Sequence, residues 1–332
     1  MIIFQCWLSG PAFWDGSKLI TFVYLYVKFI IHLLYANRES DLTPTIDITP
    51  EFIRALIKPR SRESRKGDNG IVLVVGGSKI YHGAPVLSSL AALRSGTDLV
   101  FTATPRSNVI PVRSYSPDLI VLPLPDDKLT AGSANRLMAM LPKKPHSAAV
   151  GMGMSISKPH ALLSLITQLL KEDTRIILDA SALIPEVLAQ IKGTGTVVTP
   201  HAGEYKRLFE DDPGTNLEIQ MSNVQNAAKE FGITIILKGS NNIISDGLNG
   251  HTAMIRRSSP AMTVGGMGDI LSGLLAGYLT KYDPFHASVL GVYLNGTAAK
   301  IAYERVGLHM IATDVIEDLP QVMKSYDLIS ER

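Results

Sequence analysis

Cysteine is almost missing from this chain. Cys6 is the only one in 332 residues, so an intramolecular disulfide and a cysteine-built zinc site are excluded, and the usage fits a reducing compartment. An excess of one charge is missing too. The 32 Lys and Arg against 30 Asp and Glu leave a net charge of +2, which gives no general signal for a polyanion and none for nucleic acid. Two familiar spacings are also absent. "VVGGS…YHGAP", Val74 to Pro85, lacks the GxGxxG spacing of a dinucleotide fingerprint. His201 in "TPHAGE" has no second histidine four residues away, as a metalloprotease helix requires.

What remains is a chain 46% hydrophobic and 19% charged, with ample core material for one large α/β domain or two small ones. A charged linker, Lys58–Gly70, precedes a regular alternation of strand and helix patterns from Ile71 onward. "IVLVVGGS" reads as a buried strand into a glycine turn, and "APVLSSLAALRSG" as a helix closed by Gly96. "DLVFTATP", "DLIVLPLP", "SAAVGMGMS", "RIILDAS" and "GTVVTPHAGEYKRLF" supply further strands. "PHALLSLITQLLKE", "ALIPEVLAQI" and "PFHASVLGVYLNGTAAKIAYERVG" supply helices, and "ITIILKGSNNIISDG" reads as a strand running into a hairpin. Strands separated by helices predict a largely parallel sheet covered on both faces. Ligands then gather beyond the carboxyl ends of the strands. "GGS", "GMG", "LDAS", "TPHAGE" and "LKGSNN" each follow a predicted strand, and "GGMGD" precedes a helix, so all six are expected on one rim.

The N-terminus stands apart. Leu19–Ala36 is apolar and of bilayer-spanning length. Its eleven Leu, Ile, Phe and Val residues favour insertion by roughly 3–7 kcal/mol, whereas a central lysine such as Lys28 costs about 3 kcal/mol and His32 adds to that. The balance is marginal. A membrane anchor, an appended helix, and residues foreign to the natural protein are the three readings. Residues 1–48 are therefore taken as an extension, of which residues 1 to about 45 are not needed for catalysis, and 49–332 as the working domain. The expected location is the cytoplasm.

"TVGGMGDILSGLLAG", Thr263–Gly277, carries the sharpest signal. Ile270, Leu271, Leu274, Leu275 and Leu279 recur at helical spacing, so a buried helix starts near Gly268. A helix start has unpaired N–H groups and a positive dipole end, and glycines let a phosphate approach it. Gly265, Gly266, Met267 and Gly268 are thus a candidate anion hole, with Asp269 beside the anion. Lys238 stands where a phosphate would be fixed, and Asn241 and Asn242 where a base or ribose would be bonded. Each feature alone also fits an ordinary turn. His201 is equally readable as a structural histidine, and Asp179 as an exposed strand-end carboxylate or a partner of a hydrated metal.

From about Lys66 to Leu319 the chain resembles the NAD(P)H-hydrate dehydratase family of the ribokinase-like fold. The stretches that carry the resemblance are "KGDNGIVLVVGGSKIYHGAPVLSSLAALRSGTDLV", "VGMG", "TPHAGEYKRL", "LKGSNNIISDG" and "MTVGGMGDILSGLLAG", in family order. The resemblance implies a three-layer α/β/α architecture. It implies that Ala84, Gly153, His201 and Asp269 contact the hydrated (S)-form of NADH or NADPH. It implies that Lys238, Gly239, Ser240, Asn241, Asn242 and Gly268 contact ATP or ADP, and that Asp269 is catalytic. Mg²⁺ is expected with the nucleotide, with Glu204 an indirect ligand. A homo-oligomer is expected, with an epimerase acting from a separate chain. Two positions depart from the pattern: Met267 stands where Thr or Ser is usual, and Ser181 where a second aspartate is usual.

The implied chemistry is self-consistent. Hydroxide is a poor leaving group from the hydrated nicotinamide ring. Phosphorylating the hydroxyl turns the leaving group into phosphate, and elimination restores the ring. Asp269 serves as general base and the glycine N–H groups hold the charge on the transferred phosphoryl. Two other readings share "GGMGD": a kinase for a small vitamin-precursor alcohol, and a nucleotide-binding module without turnover.

Overall fold

Ten strands form the main sheet in a computed structural model that describes residues 45–330. Leu19–Ala36 and the three readings attached to it lie outside the described residues. The strands are β1 (Thr45–Ile46), β2 (Arg60–Ser61), β3 (Ile71–Val75), β4 (Leu99–Pro105), β5 (Ile120–Leu124), β6 (Ser147–Val150), β7 (Arg175–Leu178), β8 (Val197–Val198), β9 (Thr234–Leu237), β10 (Asn241–Asp246), β11 (Thr252–Arg256) and β12 (Ile329–Ser330). The order across the main sheet is β1-β11-β10-β9-β8-β7-β6-β3-β4-β5, and β2 pairs with β12 in a separate small sheet. All pairings in the main sheet are parallel except those of β10, which runs antiparallel to β9 and β11. The sheet thus takes in Thr45 and Ile46, ahead of the expected boundary at 49.

The helices are α1 (Pro50–Leu56), α2 (Gly83–Arg94), α3 (Val109–Tyr115), α4 (Ala131–Met140), α5 (Pro159–Lys171), α6 (Leu188–Ile191), α7 (Ala202–Phe209), α8 (Leu217–Phe231), α9 (Met267–Leu279), α10 (Pro284–Val306) and α11 (Ala312–Lys324). They form two layers. Along β3, Val72 and Val74 face the layer of α2, α9, α10 and α11, while Ile71, Leu73 and Val75 face α4, α5, α7 and α8. Burial on both faces explains why β3 is an unbroken apolar run rather than an alternating one. This is the three-layer α/β/α architecture of ribokinase-like proteins.

One segment differs from its pattern. "ALIPEVLAQI" is not one helix but 3-10 turns at Ala180–Ala182 and Pro185–Val187 followed by the single turn α6. Ile184 precedes Pro185 and is extended, with φ −123° and ψ 149°, because the proline ring disfavours helical backbone in the residue before it. The linker also differs from a solvated loop. Gly67 and Asn69 donate their N–H groups to Asp98 at 2.8 and 3.0 Å, and Arg60 pairs with the same carboxylate at 2.8 Å.

Candidate active site

β3 and β6 lie side by side, but the chain leaves them in opposite directions: β4 and β5 follow on one side, and β7, β8 and β9 on the other. This is a topological switch point, where α/β sheets hold their ligands. The glycine turns after the two strands meet there, with Gly77 N donating to Met152 O at 2.8 Å. Gly153 has φ +60°, and a Cβ built on it would lie 2.8 Å from Tyr81 Cβ and 2.9 Å from Ala84 Cβ. Ala84 and Gly153 are therefore neighbours at the crevice. The Tyr81 ring beside them is 62% exposed, and no motif in the sequence singles it out.

The start of α9 lies against α2. Gly266 occupies the N-cap in the left-handed region, with φ +96°, and no side chain caps the helix. By contrast, Thr49, Thr130, Asn216 and Asp283 cap α1, α4, α8 and α10. Consequently the N–H groups of Gly265, Gly266, Met267, Gly268 and Asp269 have no acceptor among the described residues. Successive free N–H groups at the positive end of a dipole form an anion site. The Met267 side chain points the other way, 7% exposed in the core. The hydroxyl missing there leaves the backbone donors in place.

Asp269 sits in the first turn of α9. Ser88 Oγ on α2 donates to its carbonyl at 2.8 Å and fixes the backbone, while among the described residues no donor reaches its carboxylate. Burial pushes the carboxyl up to about 7, the charge of Asp179 adds to the rise, and Lys238 partly offsets it. A carboxylate that holds its proton near neutral pH is matched to general-base work.

The ends of β7, β8 and β9 form the floor. Asp179 is buried rather than exposed. Its Oδ1 accepts from Lys238 Nζ at 2.8 Å and Thr199 Oγ1 at 2.7 Å, and its Oδ2 from Ser272 Oγ at 2.8 Å. Burial opposes its ionisation, yet the Lys238 charge and these hydrogen bonds hold the carboxyl below its usual range. Burial likewise opposes the charge of Lys238, and Asp179 and Glu204 outweigh it. A Cβ at Gly268 would lie 3.6 Å from Lys238 Nζ, so the lysine reaches the helix start. Beyond it, Gly239 and Ser240 are exposed. Asn242 braces their turn, accepting from Gly239 N at 3.4 Å and donating to Ile255 O at 3.3 Å, and Asn241 pairs opposite Arg256.

His201 has a structural duty. Its Nδ1 accepts from Gly203 N at 3.0 Å and Glu204 N at 3.2 Å, capping α7, which leaves Nε2 to carry the proton. Its side chain is 59% exposed and free to meet a ligand. Glu204 returns the cap by accepting from His201 N at 2.9 Å, and its Oε2 lies 3.6 Å from Lys238 Nζ. These contacts use Oε2 alone. Among the described residues no three His, Cys, Asp or Glu are grouped to hold a metal ion. A cavity of about 390 Å³ lined by Lys58, Ser61, Asn69 and Lys281 opens at the opposite ends of the strands and contains none of these residues.

An anion hole, an adjacent base and a switch-point crevice suit phosphoryl transfer to a bound alcohol. A family model described as NAD(P)H-hydrate dehydratase matches residues 72–321. The chain is 52% identical over 283 residues to an ADP-dependent (S)-NAD(P)H-hydrate dehydratase of Nitrosopumilus maritimus, a match covering 85% of this chain and 98% of that one. It is 40% identical to a bifunctional NAD(P)H-hydrate repair enzyme of Pyrobaculum aerophilum, covering 82% of this chain and 54% of that one. Among solved structures it is similar to an ADP/ATP-dependent NAD(P)H-hydrate dehydratase from Bacillus subtilis co-crystallized with ATP/Mg²⁺. The identity is 26%, the TM-score 0.75, and the match covers 87% of this chain and 100% of that one.

Proposed function

The chain belongs to the NAD(P)H-hydrate dehydratase family, and from that premise we propose how it restores NADH and NADPH from their (S)-hydrates at the expense of ADP or ATP. The unsatisfied N–H groups of Gly265–Asp269, beside a carboxylate that holds its proton near pH 7, carry the reading. The hydrate lies along Ala84, Gly153 and the outer edge of His201, with its ring hydroxyl against Asp269. The nucleotide lies along Lys238 and the Gly239–Asn242 turn, with its terminal phosphate at Gly265–Gly268. Asp269 takes the hydroxyl proton, the oxygen attacks the terminal phosphorus, and the bond to the nucleotide's leaving oxygen breaks. The ring nitrogen's lone pair then expels phosphate, and loss of a proton from the adjacent ring carbon restores the dihydronicotinamide. The helix N–H groups bear the negative charge that the phosphoryl oxygens carry during transfer.

ADP is the proposed donor of choice, in keeping with the names of relatives 52% and 50% identical. A magnesium ion would arrive with the nucleotide and take its ligands from phosphate and water, since the residues present form no cage for it. We place the enzyme in the cytoplasm as a homo-oligomer. Among the described residues no helix is long and apolar enough to cross a membrane. An epimerase on another chain would supply the (S)-form. The bifunctional relative, only 54% of which this chain matches, supports that pairing of activities.

Adding the (S)-hydrate of NADH with ADP or ATP and Mg²⁺, and following the absorbance of NADH, tests the assignment. NADH and inorganic phosphate should appear in equal amounts. A stable phosphorylated product without NADH would instead indicate a small-molecule kinase, and nucleotide binding with no product a binding module. Within the same assay, Lys238→Ala should raise the KM for the nucleotide by about tenfold or more, since losing one charged contact costs about 1.5–3 kcal/mol. The KM for the hydrate should change less. Equal changes in both would remove Lys238 from the nucleotide side.

A further inference from the structure

Asp179 is given no ligand contact of its own in the reading above, yet it bonds Lys238 of the nucleotide side and ties three supports of the site together. Thr199 stands at the end of β8, Lys238 at the end of β9 and Ser272 on α9, and all three donate to its two oxygens within 2.8 Å. Ser272 lies three residues after Asp269, so the two occupy neighbouring positions on the helix. The loop that presents Asp179 is itself held: Ala180 takes φ +51°, unusual for an alanine, and Arg207 donates to Ala180 O and Leu183 O at 2.8 Å each.

The charges around this carboxylate are unequal. Among the described residues, Lys238 is the one cation that pairs with Asp179 and Glu204 and offsets the charge on Asp269. Asp179 and Lys238 are the charged groups that act on Asp269 directly; Glu204 meets Lys238, and His201 meets Glu204. From α2 the uncharged Ser88 donates to its backbone carbonyl. An ionised Asp269 therefore adds a third negative charge where one ammonium must serve all three. Taking up a proton relieves that excess, which is what a base is asked to do.

We propose that Asp179 is a positioning residue of the reaction assigned above, holding Lys238 and the N-terminal half of α9 in register and setting its own negative charge close to Gly268, whose added Cβ would lie 3.7 Å from Asp179 Oδ2, next to the proton acceptor Asp269. The inference rests on the reading of Asp269 as the base. It differs from a structural role in one respect. A structural tie affects folding and turnover, whereas a buried charge also moves the pH at which Asp269 works.

Asp179→Asn keeps the shape and removes the charge. The acid limb of its kcat profile should fall about one pH unit below that of the wild type, the size of shift one neighbouring charge ordinarily imposes. Its plateau should be lower, because the base is weaker. Lys238→Met removes the compensating charge, and its limb should move the opposite way, to higher pH. The same two opposite displacements should appear in a carboxyl-carbon NMR titration of Asp269 in the free enzyme, which needs no turnover. An unmoved midpoint in Asp179→Asn overturns the proposal. Should that variant not fold, an unmoved or lowered midpoint in Lys238→Met overturns it instead. A wild type that makes no NADH while Asp269 still titrates high removes the reaction and leaves the coupling. A wild type that turns over, with no displacement in the variants, removes the coupling alone.

Discussion

Asp269→Asn is expected to lower turnover by about 10²–10⁴, the usual contribution of a positioned general base, while the nucleotide still binds. The amide matches the carboxylate in shape but cannot accept the hydroxyl proton. The Ser88 bond is made to the backbone at residue 269 and so survives the change. In the wild type the rate should fall as pH drops through about 7, where burial and Asp179 place the carboxyl's proton exchange. Stability should move the other way. The folded carboxyl binds its proton up to about pH 7, and the unfolded one only up to about pH 4. The native state thus binds more protons across that window and loses stability as pH rises through it. Asn removes this cost, so the variant should melt higher than the wild type at pH 8 and equally at pH 4. The gain is bounded by about 4 kcal/mol, at about 1.36 kcal/mol for each tenfold change in proton affinity, and is reduced by whatever water reaches the site. Wild-type turnover in the variant would sink the base assignment. Equal melting at pH 8 would sink the account of why the base is tuned.

The sheet was readable because its signals are local. "IVLVV" and "TIIL" are apolar on both faces, and that follows only from a parallel strand between two helical layers. The rim was readable for the same reason, since each glycine or charged cluster directly follows a strand or opens a helix. The patterns of α3, α4, α8 and α11 are less legible. For α8 the signals existed: Asn216 caps Ile219 N, and Gly232 ends the helix at φ +59°. Its apolar residues begin at Leu217, Ile219 and Met221, two apart, which blurs the helical period. In the site, the pair Asp179 and Lys238 lie 59 residues apart in sequence. No spacing rule joins them, because β8, inserted between their strands, sets the distance. The double duty of His201 was half visible, since a histidine three residues before a glutamate at a helix start resembles a capping box. Tyr81 gave only an exposed aromatic in a loop, and its place became clear once Gly153 was seen against it.

Gly266→Ala should show how closely the anion hole depends on one backbone angle. At φ +96° an alanine is strained, by about 1–3 kcal/mol. Its Cβ would also stand 2.6 Å from Leu87 Cδ1 and 2.8 Å from Ala312 Cβ. The leucine terminus can rotate away, but the Ala312 methyl sits directly on the backbone of α11 and cannot. The start of α9 must then shift or turn. With it move the N–H groups of Gly265–Asp269, whose value lies in pointing at one place before the phosphoryl group arrives. Misaligning a single such donor typically costs about 10²–10³ in kcat, so a loss of that order is expected, together with a lower melting temperature. The companion variant Gly266→Ala/Leu87→Ala relieves the contact with α2 but leaves the left-handed backbone and the Ala312 contact. It should recover part of the stability lost by Gly266→Ala and little of the turnover. If turnover returned along with stability, Gly266 would serve the packing of α9 on α2, and the donors at the helix start would not need the alignment claimed for them.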